Sequence, residues 1–205
     1  MASTWYLQCV QAIRKKDIIK LQVYLPNVED INFGEVNCTL LWVSLYTSQR
    51  NIDVFEAILN FEPDLTITND FNQTPLIYCC ESNLADFALL LLIQGCNPNV
   101  QDNAGYTPLH YAVFNRNKSL YNLLLQYGAK PTIKDNEGYD VFSFFLLGNK
   151  SQFAVDSDYT FCSLFTDMII REKHVQIAER FDRMSIVNGI LARQIKDVNF
   201  GVQKL

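Results

Sequence analysis

The feature that most constrains this chain is an internal echo at a spacing of 33 residues. The run Asp102-Asn-Ala-Gly105-Tyr-Thr107-Pro108-Leu109-His110-Tyr-Ala112 is followed by Leu123-Leu124-Leu125-Gln-Tyr-Gly128-Ala129. Thirty-three residues earlier stand Thr74-Pro75-Leu76, then Leu90-Leu91-Leu92, then Gly95-Cys96-Asn-Pro98. Asp102 returns as Asp135, Gly105 as Gly138 and Pro98 as Pro131. Self-similarity at such a period marks stacked units, each too small to bury its own apolar face. Proline in the first turn of a helix loses no hydrogen bond, and a preceding threonine caps the free amides. Gly95 and Gly128 follow leucine-rich segments, where a left-handed residue ends a helix. Ile52, Phe55, Ile58 and Leu59 lie at helical spacing, as do Leu120, Leu123, Leu124 and Tyr127. Each unit reads as two short antiparallel helices and a projecting loop.

The segment 102–134 carries the complete T-P-L-H-x-A signature as Thr107, Pro108, Leu109, His110 and Ala112, and it resembles the ankyrin repeat. Segment 69–101 keeps Thr74, Pro75 and Leu76, with Ile77 for the histidine and Cys79 for the alanine. Two units are degenerate. One starts at Thr39-Leu40-Leu41, has Ile58-Leu59 as its second-helix pair, and carries about two extra residues at 47–51. The other has Gly138-Tyr139 and replaces T-P-L by Asp140-Val141-Phe142. Ala12 to Ile18, with Leu21 and Leu25, is similar to a capping unit. The resemblance implies an all-α ankyrin-repeat solenoid over residues 1–148: a cap unit at about 5–33, then repeats at about 34–68, 69–101, 102–134 and a degenerate 135–148. Residues 149–205 are expected to form a non-repeat helical C-terminal cap, the rival being a small separate helical module. There Phe161, Leu164, Phe165, Met168 and Ile169 keep helical spacing. A longer helix is expected over about 174–196, with Ile177, Phe181, Met184, Val187, Ile190, Leu191 and Ile195 on one face.

A chain of 205 residues with 49% hydrophobic and 19% charged residues has the composition of a packed globular protein. Its net charge of −5 argues against a general nucleic-acid binder and permits a basic protein partner. The apolar stretch Ala88 to Ile93 is far short of the ~20 residues of a membrane span. The first cations, Arg14, Lys15 and Lys16, follow the mildly apolar N-terminal stretch, which is not the order of a secretory signal. The six cysteines show no C-x-x-C spacing and read as reduced thiols of a cytoplasmic protein, or of one in a host cytosol.

Catalysis finds little support. Zinc needs about four closely spaced ligands, and no such cluster, phosphate loop or nucleophile elbow occurs. No catalytic residue, cofactor or metal is expected. His110 holds the signature position, which in the family implies a structural bond to loop backbone. His174, in Arg171-Glu172-Lys173-His174, reads as a solvated helix start, and Glu29-Asp30 as turn residues. The enzyme-like alternative is a site supplied by a Cys79–His110 pair or by the C-terminal helices.

Binding remains. The resemblance places partner contacts on the loop tips and inner helices of a concave face. It implies Asp70, Phe71, Gln73, Glu81 and Ser82 from one repeat, and Asn103, Ala104, Tyr106, Phe114 and Asn115 from the next. The flanking units add Glu35, Val36 and Tyr46 on one side, and Asn136, Glu137 and Tyr139 on the other. Phe71, Tyr106, Phe114 and Tyr139 are expected as exposed aromatic anchors, with Glu35, Asp70, Glu81 and Glu137 making the face acidic. The function expected is a non-catalytic module, monomeric when free, that binds and blocks a partner protein. An immunity protein neutralising a toxin comes first. A viral or bacterial factor binding a host protein, or an adaptor, comes second.

Overall fold

The computed structural model describes residues 4–34, 37–48, 50–147, 171–180 and 183–192, and these are helices, turns and loops without a strand. Helices come in pairs: α1 (Thr4–Lys15) with α2 (Ile18–Tyr24), α3 (Leu40–Tyr46) with α4 (Ile52–Leu59), α5 (Pro75–Glu81) with α6 (Ala85–Ile93), and α7 (Pro108–Phe114) with α8 (Lys118–Gln126). Then come α9 (Val141–Leu147), α10 (Glu172–Arg180) and a helical segment at 184–192. A 3₁₀ turn, Leu25–Asn27, closes the first pair. The odd-numbered helices α1 to α9, with α10 after α9, form an inner layer, and α2, α4, α6 and α8 stack side by side as an outer layer.

The local chemistry explains the pairs. Thr39 and Thr74 accept the N–H groups of Trp42 and Ile77 through their hydroxyls, both at 3.4 Å. Asp140 takes over this role in α9, where its Oδ1 accepts the Ser143 N–H at 2.9 Å. At Thr107 the cap is reciprocal: the Thr107 N–H donates to His110 Nδ1 at 3.2 Å. Three of the four turns between paired helices carry a backbone bond spanning five residues: Asp17 N to Ala12 O, Leu84 N to Cys79 O, and Asn117 N to Ala112 O. The residue before each donor, Lys16, Asn83 or Arg116, is left-handed. The acceptor residues Ala12, Cys79 and Ala112 are small and essentially fully buried. The turn between α3 and α4 is longer, and it spans the residues 47–51.

The C-terminal segment departs from the expected long helix. Helix α10 stops at Arg180, and Arg183 donates its N–H to Ala178 O, the same five-residue bond as in the earlier turns. The chain then resumes as 184–192, with Ile186, Val187 and Ile190 buried and Leu191 37% exposed. In α8, Leu120, Tyr121 and Leu124 are buried and Leu125 is 36% exposed, the same sequence of environments 66 residues earlier. The expected helical residues Phe161 to Ile169, together with Phe181 and Ile195, lie outside the described residues.

His174 is not a solvated helix start. It is 1% exposed. Its Nδ1 accepts the Arg171 N–H at 3.1 Å, the same cap as Thr107 with His110. That leaves Nε2 as the donor to Asp140, 3.2 Å from both carboxylate oxygens. Phe142 packs edge-on against the ring at 5.0 Å. Burial pushes the Asp140 carboxyl up, but hydrogen bonds from His174 and Ser143 outweigh it and hold it well below the usual carboxylate range. This buried contact ties α10 to the N-terminus of α9.

Candidate functional site

Three loops build the tips of the inner layer on one plan. Asn69, Asp102 and Asp135 each use Oδ1 to accept the N–H groups two and four residues on, at 2.8–3.0 Å. The backbone closes the same turn, as in Asp102 N to Tyr106 O at 3.1 Å. Successive loops hang on one another: Asn103 N–H reaches Phe71 O at 3.1 Å, and Asn136 N–H reaches Ala104 O at 3.2 Å. Gly105, at φ +81°, sits where this approach is closest; a Cβ there would lie 2.5 Å from Asn136 N.

Inside the loops, inner-helix side chains recur in two columns at repeat spacing: Val43, Tyr78, Tyr111 and Phe144, and Tyr46, Glu81, Phe114 and Leu147. Between α3 and α5 the aromatic rings fill the step. Trp42 and Tyr46 stack at 5.3 Å, Tyr46 meets Tyr78 edge-on at 5.0 Å, and Trp42 Nε1–H donates to Ile67 O at 3.0 Å. A depression of ≈ 280 Å³ opens here, lined by Tyr46, Tyr78 and Tyr111 together with Asn69, Phe71, Gln73, Glu81, Asp102, Asn103 and Ala104.

A hydrogen-bonded chain runs along its floor. Asn69 Nδ2 donates to the Tyr46 hydroxyl at 3.2 Å and to Gln73 Oε1 at 2.8 Å. Gln73 Nε2 donates to Glu81 Oε2 at 2.9 Å and to the Tyr111 hydroxyl at 3.4 Å. Tyr111 donates to Asp102 Oδ2 at 2.6 Å. Burial, reinforced by that carboxylate, pushes the Tyr111 hydroxyl far up, and burial also raises Tyr46. Beyond the depression, Tyr46 donates to Asn37 Oδ1 at 3.0 Å and Asn37 Nδ2 to Asp70 Oδ2 at 2.7 Å.

The expected contact residues divide. Phe71 and Phe114 are open, at 67% and 62% exposure, and Asp70, Glu81, Asn103 and Glu137 are exposed with them. Gln73 is buried, because both of its amide hydrogens bridge the floor of the depression. Tyr106 is half-buried rather than projecting: its ring packs 5.1 Å from Phe144 and 5.7 Å from Tyr111. Tyr139 is half-buried under Lys173 Nζ, 4.5 Å from its ring centroid. Asn115 is a bridge between units, donating to Cys80 O at 2.8 Å and Glu81 O at 2.9 Å. Glu35 and Val36 lie outside the described residues. Tyr78 and Tyr111 were not singled out from the sequence; their recurrence at 33-residue spacing inside the inner helices is the signal that marks them.

The groups weighed for nucleophilic chemistry sit in the core. Cys79 is fully buried; burial and the adjacent Cys80 push its thiol well up, and no hydrogen bond joins it to His110. Burial pushes His110 down, with the Tyr139 backbone carbonyl offsetting part of that. Among the described residues, no group of three or more His, Cys, Asp or Glu could hold a metal, and no helix is long and apolar enough to cross a membrane.

Comparison with known families agrees with this architecture: residues 8–135 match ankyrin repeats, in three copies. The chain is an ankyrin-repeat protein. The match covers the helix pairs from α1/α2 to α7/α8. A curated relative is the ADP-ribosylation factor GTPase-activating protein AGD4 of Arabidopsis thaliana, 34% identical over 68 residues. Those residues are 33% of this ankyrin-repeat chain and 8% of the relative. Stacks of this family serve as protein–protein interaction modules.

Proposed function

We propose that the chain binds a partner protein through the trough between its loop tips and inner helices, and blocks that partner by occupying its surface. The observation that carries this reading is the exposure of Phe71 and Phe114 beside Asp70 and Glu81. Aromatic anchors ringed by polar groups are the composition of interface hot spots. The carboxylates favour a basic partner surface. An immunity or inhibitor role is the specific form proposed, with a monomeric chain in the cytoplasm. The free state of the five described cysteines supports a reducing compartment. The test is capture of a partner with the full chain, followed by surface plasmon resonance on the Phe71→Ala/Phe114→Ala double variant. Loss of two central anchors should weaken binding at least ~30-fold, about 2 kcal/mol, while the thermal midpoint stays in place. Full-strength binding by the double variant would refute the reading.

A further inference from the structure

The depression between α3, α5 and α7 carries an acceptor chemistry of its own. Its amide hydrogens are spent internally: those of Asn69 on Tyr46 and Gln73, those of Gln73 on Glu81 and Tyr111. Tyr46 and Tyr111 likewise donate their hydroxyl hydrogens to Asn37 and Asp102. The groups left over are mainly acceptors and ring faces. Glu81 is exposed and its Oε1 has no partner; among the described residues no lysine or arginine lies within 4 Å of Glu81, Asp102 or Asp70. Asp102 is 8% exposed, with only neutral donors around its charge.

We infer that this depression receives a lysine or arginine side chain of the partner protein, its cationic head set against Glu81 and its stem between the tyrosine rings. The inference rests on the trough being the working surface. Lysine and arginine carry donors and no acceptor, and so complement such a lining, whereas a carboxylate or phosphate would meet few free donors and two negative charges. Cations are drawn to aromatic faces, more strongly where water is partly excluded. The chain itself shows the affinity: at the rim, Arg50 Nη2 donates to the Tyr78 hydroxyl at 3.0 Å, with its guanidinium carbon 5.9 Å from that ring's centroid. Arg50 also donates to Leu45 O through Nε, which holds it at the rim.

The test uses the full chain and three acetylated peptides of form Gly-X-Gly-X-Gly amide, with X lysine, arginine or ε-acetyllysine. Binding is followed by amide NMR shifts. The lysine and arginine peptides should shift signals of Phe71 to Gln73, Glu81 and Ala104, and the ε-acetyllysine peptide should not. Glu81→Gln should weaken the lysine peptide at least fivefold. Glu62→Gln, an exposed carboxylate on the turn after α4, removes the same charge and should leave binding unchanged. Equal binding of the ε-acetyllysine peptide, or equal effects of the two glutamate changes, would overturn the inference. Partner capture that is lost in the Phe71/Phe114 variant but untouched by Glu81→Gln would sink the cation pocket alone. Lysine-peptide binding that depends on Glu81, with partner capture indifferent to both phenylalanines, would sink the proposed interface alone.

Discussion

Gly105→Ala tests whether the loops are stacked as the structure has them. Gly105 lies at φ +81°, and the added Cβ would meet Asn136 N at 2.5 Å, Asn136 Oδ1 at 2.6 Å and Asp135 C at 2.9 Å. Two of those three atoms are backbone, so the next loop must move. The left-handed conformation costs an alanine roughly 1–2 kcal/mol. Displacing the loop breaks the bond from Asn136 N to Ala104 O, about 0.5–1.5 kcal/mol. The smaller entropy of the unfolded alanine chain returns about 0.4–1 kcal/mol. With the residual overlap, the net loss is roughly 2–4 kcal/mol, a fall of roughly 5–15 °C in thermal midpoint at this chain length. Gly128→Ala is the control: its φ is +87°, but nothing lies within 4 Å of the new Cβ. It should cost only the conformational part. Thermal unfolding followed by circular dichroism compares the two, and equal midpoints would refute the stacking of loop 102–106 on loop 135–139.

Leu91 is fully buried at the α6 interface; Leu91→Ala should cost ~2–5 kcal/mol in urea unfolding without loss of helical type. Asp140 has a folded-state proton affinity below that of the unfolded chain. Its contribution is therefore present above the ordinary carboxylate pKa of about 3.9 and is lost as pH falls toward the folded value. Asp140→Asn should lower the urea midpoint at pH 7 and flatten the fall below about pH 4; an unchanged acid slope would show that the His174 contact is not formed.

The sequence made the repeat units legible because their caps are local. Thr74-Pro75 and Thr107-Pro108 carry their own hydrogen-bond logic within four residues, and α5 and α7 start there. His174 was misread because what buries it is not local: Asp140 lies 34 residues away, in a unit whose signature has eroded. The same holds at the site. Gln73, Tyr106 and Tyr139 share one repeat position, and repeat position alone assigned all three to the surface. Their neighbours decide otherwise: Glu81 and Tyr111 draw Gln73 inward, and Phe144 covers Tyr106. Phe71 and Phe114 were legible as exposed because the family's tip and helix-end positions carry little packing duty. Tyr78 and Tyr111 were not, since an aromatic inside an apolar helix looks the same whether it faces the core or the trough.

The turn held by Asn69, Asp102 or Asp135 takes its shape from one side-chain oxygen and the backbone. The turn itself asks for no particular side chain at the two intervening positions, and the three loops present Asp-Phe, Asn-Ala and Asn-Glu on one frame, although Asn103 and Asn136 also use their side-chain amides to bond the preceding loop, at 3.5 Å to Asp70 O and 2.8 Å to Asn103 O. Recognition can therefore be rewritten by point substitution, one unit at a time, most freely at the second tip position, held by Phe71, Ala104 and Glu137. A lineage under pressure from a changing partner would accumulate its differences there, while the Asx residue and the left-handed position three residues after it stay fixed.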